Sequence, residues 1–493
     1  MTRFLFISPP YERLKGLTLQ SASLGMLYLA TSLDRAGYRA KVYDADTVFN
    51  EKNSKYGYTN IGRAMSQAEY IRNLNDDNHP AWQDIKELLL REKPDFVGIG
   101  MMTAIFSSCR KVARIVRENL PEAVIMAGGA HITILREKAL EKLPEVDVGF
   151  VGEAEESIVE FADEYTGGGD WRSVKGIIFR RGGRLHFSGQ RPRIDNLDDL
   201  PIPDRNLIVN VSRYPRIKLA SMIASRGCPF QCTFCASVPL WERKVKMRSP
   251  ENLLKEIDYL VENFNISTFG FWDDTFTIDK EATIKFCRLI YRKYGRRKFN
   301  WNCLTNINCI DDKLLFWLKM AGCKTISIGV ESGSDRILKL VKKGITTDSV
   351  RRAVKLIKKR RFWLLAFFMV GIPYETEEDI RKTIDFIKEI RPDSINLCTF
   401  TPHPGTELYD YVIRNGKFKV DENFTVYDHI AHHSMENFFV EGMSRNRYGQ
   451  LVTEILQLST EMSKINSIHK VMLLIDRLTW EKVKRRLKRY IYK

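Results

Sequence analysis

Short apolar runs alternate with helix-period segments twice along this 493-residue chain, once before residue 170 and again after residue 219. In the first train the runs lie at 3–8, 39–44, 95–101, 123–127 and 146–151, with helical patterns at 23–37, 82–91 and 107–119. A strand that is apolar along its length must be covered on both faces. Parallel strands joined by helices achieve that. The pattern predicts an α/β fold with a doubly wound, Rossmann-like parallel sheet, whose ligands lie beyond the carboxyl ends of its strands. Pro9, Met102, Thr103, Gly128, Gly129, Gly152 and Glu153 stand at those ends. In the second train, strands are expected at 219–225, 268–272, 300–304, 325–330, 364–370 and 395–400, and helices at 251–263, 280–294, 311–320, 349–359 and 377–390. That makes six βα units. A chain of this length holds two or three domains.

The stretch between the trains reads differently. Gly167-Gly168-Gly169 closes the first, residues 175–187 form a hairpin around Gly182-Gly183, and residues 195–203 are a polar linker with prolines. Residues 50–78 are a long polar connection without a strong period, which we expect to face a substrate. The expected divisions are 1–170, 171–218, 219–415 and a mainly helical region at 416–493.

The second train opens on Ser225-Arg226-Gly227-Cys228-Pro229-Phe230-Gln231-Cys232-Thr233-Phe234-Cys235. Three cysteines at C-x3-C-x2-C turn three sulfurs onto one centre. Thiolates are the ligands that iron–sulfur clusters take. Structural zinc asks for four ligands, usually in paired sets, and the other six cysteines are scattered singly. A four-iron cubane on three cysteines keeps one iron free of protein.

This motif resembles that of the radical S-adenosylmethionine (SAM) superfamily. The resemblance implies that Cys228, Cys232 and Cys235 hold a [4Fe–4S] cluster, that its open iron binds SAM, and that Phe234 lies against the adenine. It also implies that the six units form a partial, TIM-like (β/α)6 barrel with its site at the strand carboxyl ends. The later loops carry family-like text. Trp272-Asp273-Asp274-Thr275-Phe276 offers two acids for SAM, one of which we expect to cap local structure instead. Gly329-Val330-Glu331-Ser332-Gly333-Ser334 offers Glu331 and Ser332. Phe368-Met369-Val370-Gly371-Ile372-Pro373 brings Gly371 and Pro373 to the adenine, and Pro402-His403-Pro404-Gly405-Thr406 follows the sixth strand. Two departures stand out: Leu304-Thr305-Asn306 lacks the arginine of many relatives, and Tyr374 replaces a common glycine.

The first train is similar to the cobalamin (B12)-binding domain found upstream of the cluster domain in one radical SAM class. The matching stretches begin at Ser23-Leu24-Gly25, Pro94-Asp95-Phe96, Ala127-Gly128-Gly129 and Val151-Gly152-Glu153. They imply cobalamin contacts from Leu24 and Gly25 together with the strand-end residues above. Glycine at a strand end lets backbone approach a flat macrocycle. The 8–16 loop has no histidine for cobalt, and His131 reads as a turn residue leading a helix rather than as a ligand.

The resemblance implies a cobalamin-dependent C-methyltransferase acting on an unactivated carbon through a 5′-deoxyadenosyl radical and methylcobalamin. The alternative is a non-methylating B12-binding enzyme such as an oxidative cyclase. A methylthiotransferase would need three upstream cysteines, and only Cys109 precedes Cys228. An external electron donor of flavodoxin or ferredoxin type is implied, with a small-molecule, lipid or peptide substrate. The net charge of +17 favours anionic partners. No nucleic-acid-binding module accompanies it, so nucleic acid is not favoured. Unpaired cysteines, with neither a signal pattern nor a run of about eighteen apolar residues, point to a reducing cytoplasm. At the end of the chain Trp480, Val483, Leu487 and Ile491 share one helical face amid six basic residues. That segment, 480–493, reads equally as a peripheral membrane contact or as a docked terminal helix. His429, His432 and His433 are read as exposed or pocket-lining rather than as a metal site.

Overall fold

The structure is a computed structural model and describes residues 2–17, 22–47, 60–296, 298–430, 434 and 436–462. The basic 480–493 segment, His432 and His433 lie outside the described residues. No helix among the described residues is long and apolar enough to cross a membrane.

The N-terminal sheet contains β1 (Arg3–Ser8), β2 (Arg39–Asp44), β3 (Phe96–Gly100), β4 (Val124–Gly128), β5 (Val148–Phe150), β6 (Ile177–Arg181) and β7 (Arg184–Phe187), in the order β2-β1-β3-β4-β5-β6-β7. The first five are parallel and the last two antiparallel. Chain order reverses between β1 and β3, so a crevice opens there. Gly98 is needed in that centre, since a Cβ on it would sit 2.5 Å from the Phe6 ring. The hairpin expected in the connecting segment extends this sheet instead, because β6 pairs with β5. Gly167–Gly169 therefore ends a helix (Glu155–Gly167) and not the sheet. The polar connection also departs from expectation. It contains helices Asn60–Met65 and Gln67–Leu74, the second burying only Gln67, Tyr70 and Leu74, too few positions to show a period.

The second sheet is parallel throughout. Its strands are β8 (Ser221–Met222), β11 (Thr268–Phe271), β12 (Asn300–Thr305), β13 (Cys323–Glu331), β14 (Trp363–Val370) and β15 (Ser394–Thr399), lying side by side in chain order. Along β13 fully buried Ile326, Ile328 and Val330 alternate with half-buried Ser327, Gly329 and Glu331. One face thus packs on the helices, and the other lines an open lumen. The first strand is shorter than expected. Leu219 ends a helical turn (Arg216–Leu219), and Ser225–Arg226 forms a separate strand, β9, paired antiparallel with β10 (Lys246–Met247). Beyond Arg414 the described residues are irregular apart from one turn at Thr425–Asp428, until residues 445–462 form a helix.

The two sheets belong to one body. A single apolar cluster contains Met101, Ile105 and Phe106 together with Ile337, Met369 and Phe400. Phe424 inserts between them, 5.2 Å from the Phe106 ring and 4.9 Å from that of His131. Ser107 donates to Asp428 at 2.6 Å. Further along, fully buried Glu256 pairs with Arg205 at 2.6 Å and with Arg248, which also donates to Tyr28 at 3.3 Å.

Candidate active site

The cluster loop leaves β9 through Gly227, whose φ is +94° and whose Cβ would lie 2.1 Å from the Lys244 carbonyl oxygen. No side chain fits, and the left-handed backbone there favours glycine. The loop is then pinned at both ends. Thr233 N donates to Val341 O at 3.1 Å, and Leu408 N to Thr233 O at 3.0 Å. Cys232 is buried, while Cys228 and Cys235 are partly exposed. Burial pushes the Cys232 thiol up to about 11, against the pull of Lys343.

The acids beside the loop divide the work. Asp273 is 3% exposed and accepts from Ala224 N (3.0 Å) and Ser225 Oγ (2.6 Å), so it fastens the β8–β9 connection. Its carboxylate is taken up within the fold, which leaves Asp274 as the member of the pair that faces open space. Among the described residues Asp274 has one side-chain partner, Ser237 Oγ at 2.7 Å, and it lines a cavity between the two sheets. Glu331, at the end of β13, takes a salt bridge from Lys343 Nζ at 2.6 Å, with both side chains 12% exposed. That Nζ also lies 5.9 Å from the centre of the Phe234 ring. Lys343 is the residue that motif reading missed: it follows no recognisable pattern, yet it sets a cation on the Glu331 carboxylate, within electrostatic reach of Cys232 and Cys235.

Other motif residues serve the fold. Ser332 is fully buried, with its hydroxyl 3.2 Å from Thr383 Oγ1 and accepting from Ser334 N at 3.1 Å, so the hydroxyl is engaged within the fold. Gly371 has φ +87° and a Cβ there would meet the Tyr448 hydroxyl at 2.5 Å; Pro373 O accepts from Glu441 N at 3.2 Å. Both therefore hold the C-terminal segment against the barrel. Beneath them Glu375 is fully buried. Its Oε2 accepts from Gly371 N at 2.7 Å and its Oε1 is unpartnered. Burial pushes this carboxyl up to about 8 from an ordinary 4.5. Between those values the unfolded chain has lost a proton that the folded chain keeps, so stability falls as pH rises through the window. Glu375→Gln lacks that group. Its melting temperature is expected to gain on the wild type between about pH 5 and pH 8, as read by calorimetry. A pH-independent difference would mean that the carboxyl is not held neutral.

A cavity of about 470 Å³ joins the two sheets. Leu24, Gly25, Met102, Gly128, Gly129, Gly152 and Glu153 line it from the N-terminal side, and Ser225, Arg226, Gly227, Trp272 and Asp274 from the barrel side. Seven of the nine residues assigned to cobalamin thus converge. Pro9 and Thr103 do not. Pro9 packs inward, and Thr103 Oγ1 faces His131 Nδ1 at 3.0 Å within the core. His131 is fully buried against Phe106 and Phe424 and does not line the cavity. Two apolar side chains stay open toward the cavity: Met102 and Trp272 are both 57% exposed.

Across the cavity the domains are clamped. Arg226, one residue before Gly227, donates to Glu153 Oε1 at 2.7 Å and to Glu155 Oε1 at 2.5 Å. Glu153 Oε2 accepts from Ile194 N at 3.0 Å. Glu153 therefore borders the cavity with its carboxylate already engaged, a clamp member rather than a free ligand. Charge-assisted bonds among side chains this buried are the strong kind.

Comparison with known proteins agrees with this arrangement. A family model described as Radical SAM superfamily matches residues 222–387, and one described as B12 binding domain matches residues 17–162. An uncharacterised methyltransferase of Pyrococcus horikoshii is 31% identical over 335 residues, covering 68% of this chain and 72% of that protein. This chain belongs to the cobalamin-binding radical SAM family. An anaerobic magnesium-protoporphyrin IX monomethyl ester cyclase of Rubrivivax gelatinosus is 30% identical over 336 residues, 66% of this chain and 60% of the cyclase. Among solved structures, the radical SAM methyltransferase TsrM of Kitasatospora setae, with cobalamin and a [4Fe-4S] cluster bound, superimposes with a TM-score of 0.66 at 17% identity. That match covers 84% of this chain and 75% of TsrM, and it shows the shared fold.

The cofactors of the cobalamin-binding radical SAM family are a [4Fe–4S] cluster, SAM and cobalamin, and the residues fit them. Among the described residues no three His, Cys, Asp or Glu side chains converge closely enough for a single ion. A cubane spreads its thiolates over separate irons and does not ask for that convergence. At Gly25 a Cβ would meet nothing within 4 Å, so the missing side chain adds room to the cavity and is not demanded by packing.

Proposed function

We propose that this radical SAM protein is a cobalamin-dependent C-methyltransferase acting on an unactivated carbon. The observation that carries the reading is the shared cavity. The carboxyl ends of the N-terminal strands and the root of the cluster loop open into one space. When bound, the cluster with SAM supplies one-electron cleavage chemistry, and cobalamin supplies a transferable methyl group. The chain's own residues hold and shield. Cys228, Cys232 and Cys235 would hold the cluster. Phe234, Asp274 and Glu331 would border SAM, with Lys343 fixing the Glu331 carboxylate. Leu24, Gly25, Met102, Gly128, Gly129 and Gly152 would cradle cobalamin. Phe6, Met26, Ile99 and Phe150 line the same cavity with apolar surface that keeps water out. The clamp through Arg226 keeps the two reacting centres at a fixed separation.

The relative named as a cyclase gives a second reading, radical chemistry without methyl transfer. One experiment separates the two. The protein is purified without oxygen from cells supplied with cobalamin, and SAM consumption with dithionite is followed by mass spectrometry. Retained cobalamin with both 5′-deoxyadenosine and S-adenosylhomocysteine is the expected result. Retained cobalamin with 5′-deoxyadenosine alone favours the cyclase-like reading. Protein that keeps no cobalamin overturns both.

A further inference from the structure

The cluster loop has a second face. Ser225, Arg226 and Gly227 border the inner cavity, whereas Pro229, Phe230 and Gln231, the residues between the first two cysteines, form the wall of a groove of about 800 Å³. Lys339, Lys342, Gly344, Thr346 and Ser349 line its other side. No residue lines both spaces. The inner face is closed over by the N-terminal domain, so the groove is the open approach to the loop. Its flank is unusually charged. Lys339, Lys342 and Lys343 line the groove with one acid, Asp335, and the segment they belong to, residues 335–361, contains eleven Lys or Arg and two Asp, of which Arg336, Lys343, Arg351 and Arg360 are held by acids elsewhere in the chain. Lys339, Arg352 and Lys355 are exposed and make no ion pair among the described residues, while Lys342 pairs only with exposed Glu407 at 2.7 Å.

We propose that this groove docks an acidic one-electron carrier protein, which reduces the cluster through the Pro229–Gln231 segment. The inference rests on the radical SAM reading above. The carrier loses one electron and the cluster gains one; no bond forms or breaks at the groove. A basic rim steers an anionic partner and makes its binding salt-dependent. Placement directly over the cluster loop favours a redox protein over RNA or an anionic membrane, neither of which has a reason to meet those three residues.

The test uses the full chain and a reduced plant-type ferredoxin as the acidic probe. The wild type is expected to bind it with an affinity that falls steeply with added salt. Lys339→Glu combined with Lys342→Glu should weaken binding by about tenfold or more and flatten the salt dependence. Its melting temperature and its dithionite-driven SAM cleavage should not change. Arg352→Glu with Lys355→Glu, on the next helix, is a second variant expected to act in the same direction. Equal ferredoxin affinity in wild type and both variants overturns the proposal. So does a wild type that binds anionic vesicles or RNA through these lysines and does not bind ferredoxin. Absence of dithionite-driven cleavage in a wild type that still binds ferredoxin would count against the enzymatic reading and leave the docking surface standing.

Discussion

Cys232→Ala is expected to leave a folded protein that no longer holds iron. Cys232 sits in the middle of a loop pinned on both sides, at Gly227 and at Thr233. Its sulfur has no hydrogen-bond partner among the described residues, unlike Cys228, whose Sγ lies 3.8 Å from Thr275 Oγ1. Trimming it to a methyl group therefore removes little packing, and the apo variant should melt within about 1 kcal/mol of the apo wild type. Function should not survive. Replacing groups that merely support a metal ligand costs about 10–100-fold, and removing one of three ligands exceeds that. Reconstituted iron should fall from about four per chain to well under one, and 5′-deoxyadenosine formation should drop more than about a hundredfold. Cys287→Ala is the control, since that thiol is buried in the barrel core. A Cys232→Ala protein that keeps its iron and its activity would overturn the cluster assignment.

Gly25→Leu is expected to abolish cobalamin binding without harming the fold. Gly25 is the second residue of the helix Leu24–Arg35 and lines the cavity, and a Cβ placed on it meets nothing within 4 Å. Leucine is a better helix former than glycine by roughly 0.5–1 kcal/mol, so the melting temperature should hold or rise. The side chain has only the cavity to occupy. Cobalamin retained after co-expression should fall at least about tenfold, the scale of discrimination that a few misplaced methylene groups produce in a tight pocket. Iron content should be unchanged, because the cluster loop is not touched. A variant that binds cobalamin normally would place the cofactor elsewhere. Gly129→Leu would be uninformative by comparison, since with φ +105° and Met101 O at 2.7 Å it would strain the backbone whatever the cavity holds.

The fold was legible because its signals are local. The run Phe4–Ile7 and the alternation along β13 each report burial from neighbouring residues alone, and the cysteine spacing is a local constraint too. What failed to show was partnership at a distance. Arg226 and Glu153 are 73 residues apart, and nothing in either neighbourhood announces the other. Lys343 reads as one of many lysines until the turn after β13 brings it to Glu331. The same distance hides what surrounds the motif residues. Ser332 and Gly371 lie in motif text that resembles SAM-binding loops, but their surroundings are set by Thr383 and Tyr448, which only the folded chain brings to them. Asp273 and Asp274 are adjacent and chemically identical; what tells them apart is that Ala224 N and Ser225 Oγ engage the first and Ser237 Oγ the second.

The Arg226 clamp bears on supply as well as on catalysis. A cofactor as large as cobalamin cannot enter by the halves swinging apart unless the guanidinium leaves both carboxylates. Stripping a buried charge of its partner costs about 3–5 kcal/mol. The shared apolar seam at Phe424 adds to that resistance. Loading by that route is therefore costly, whereas exposed Met102 and Trp272 mark an opening into the same cavity that needs no separation of the halves.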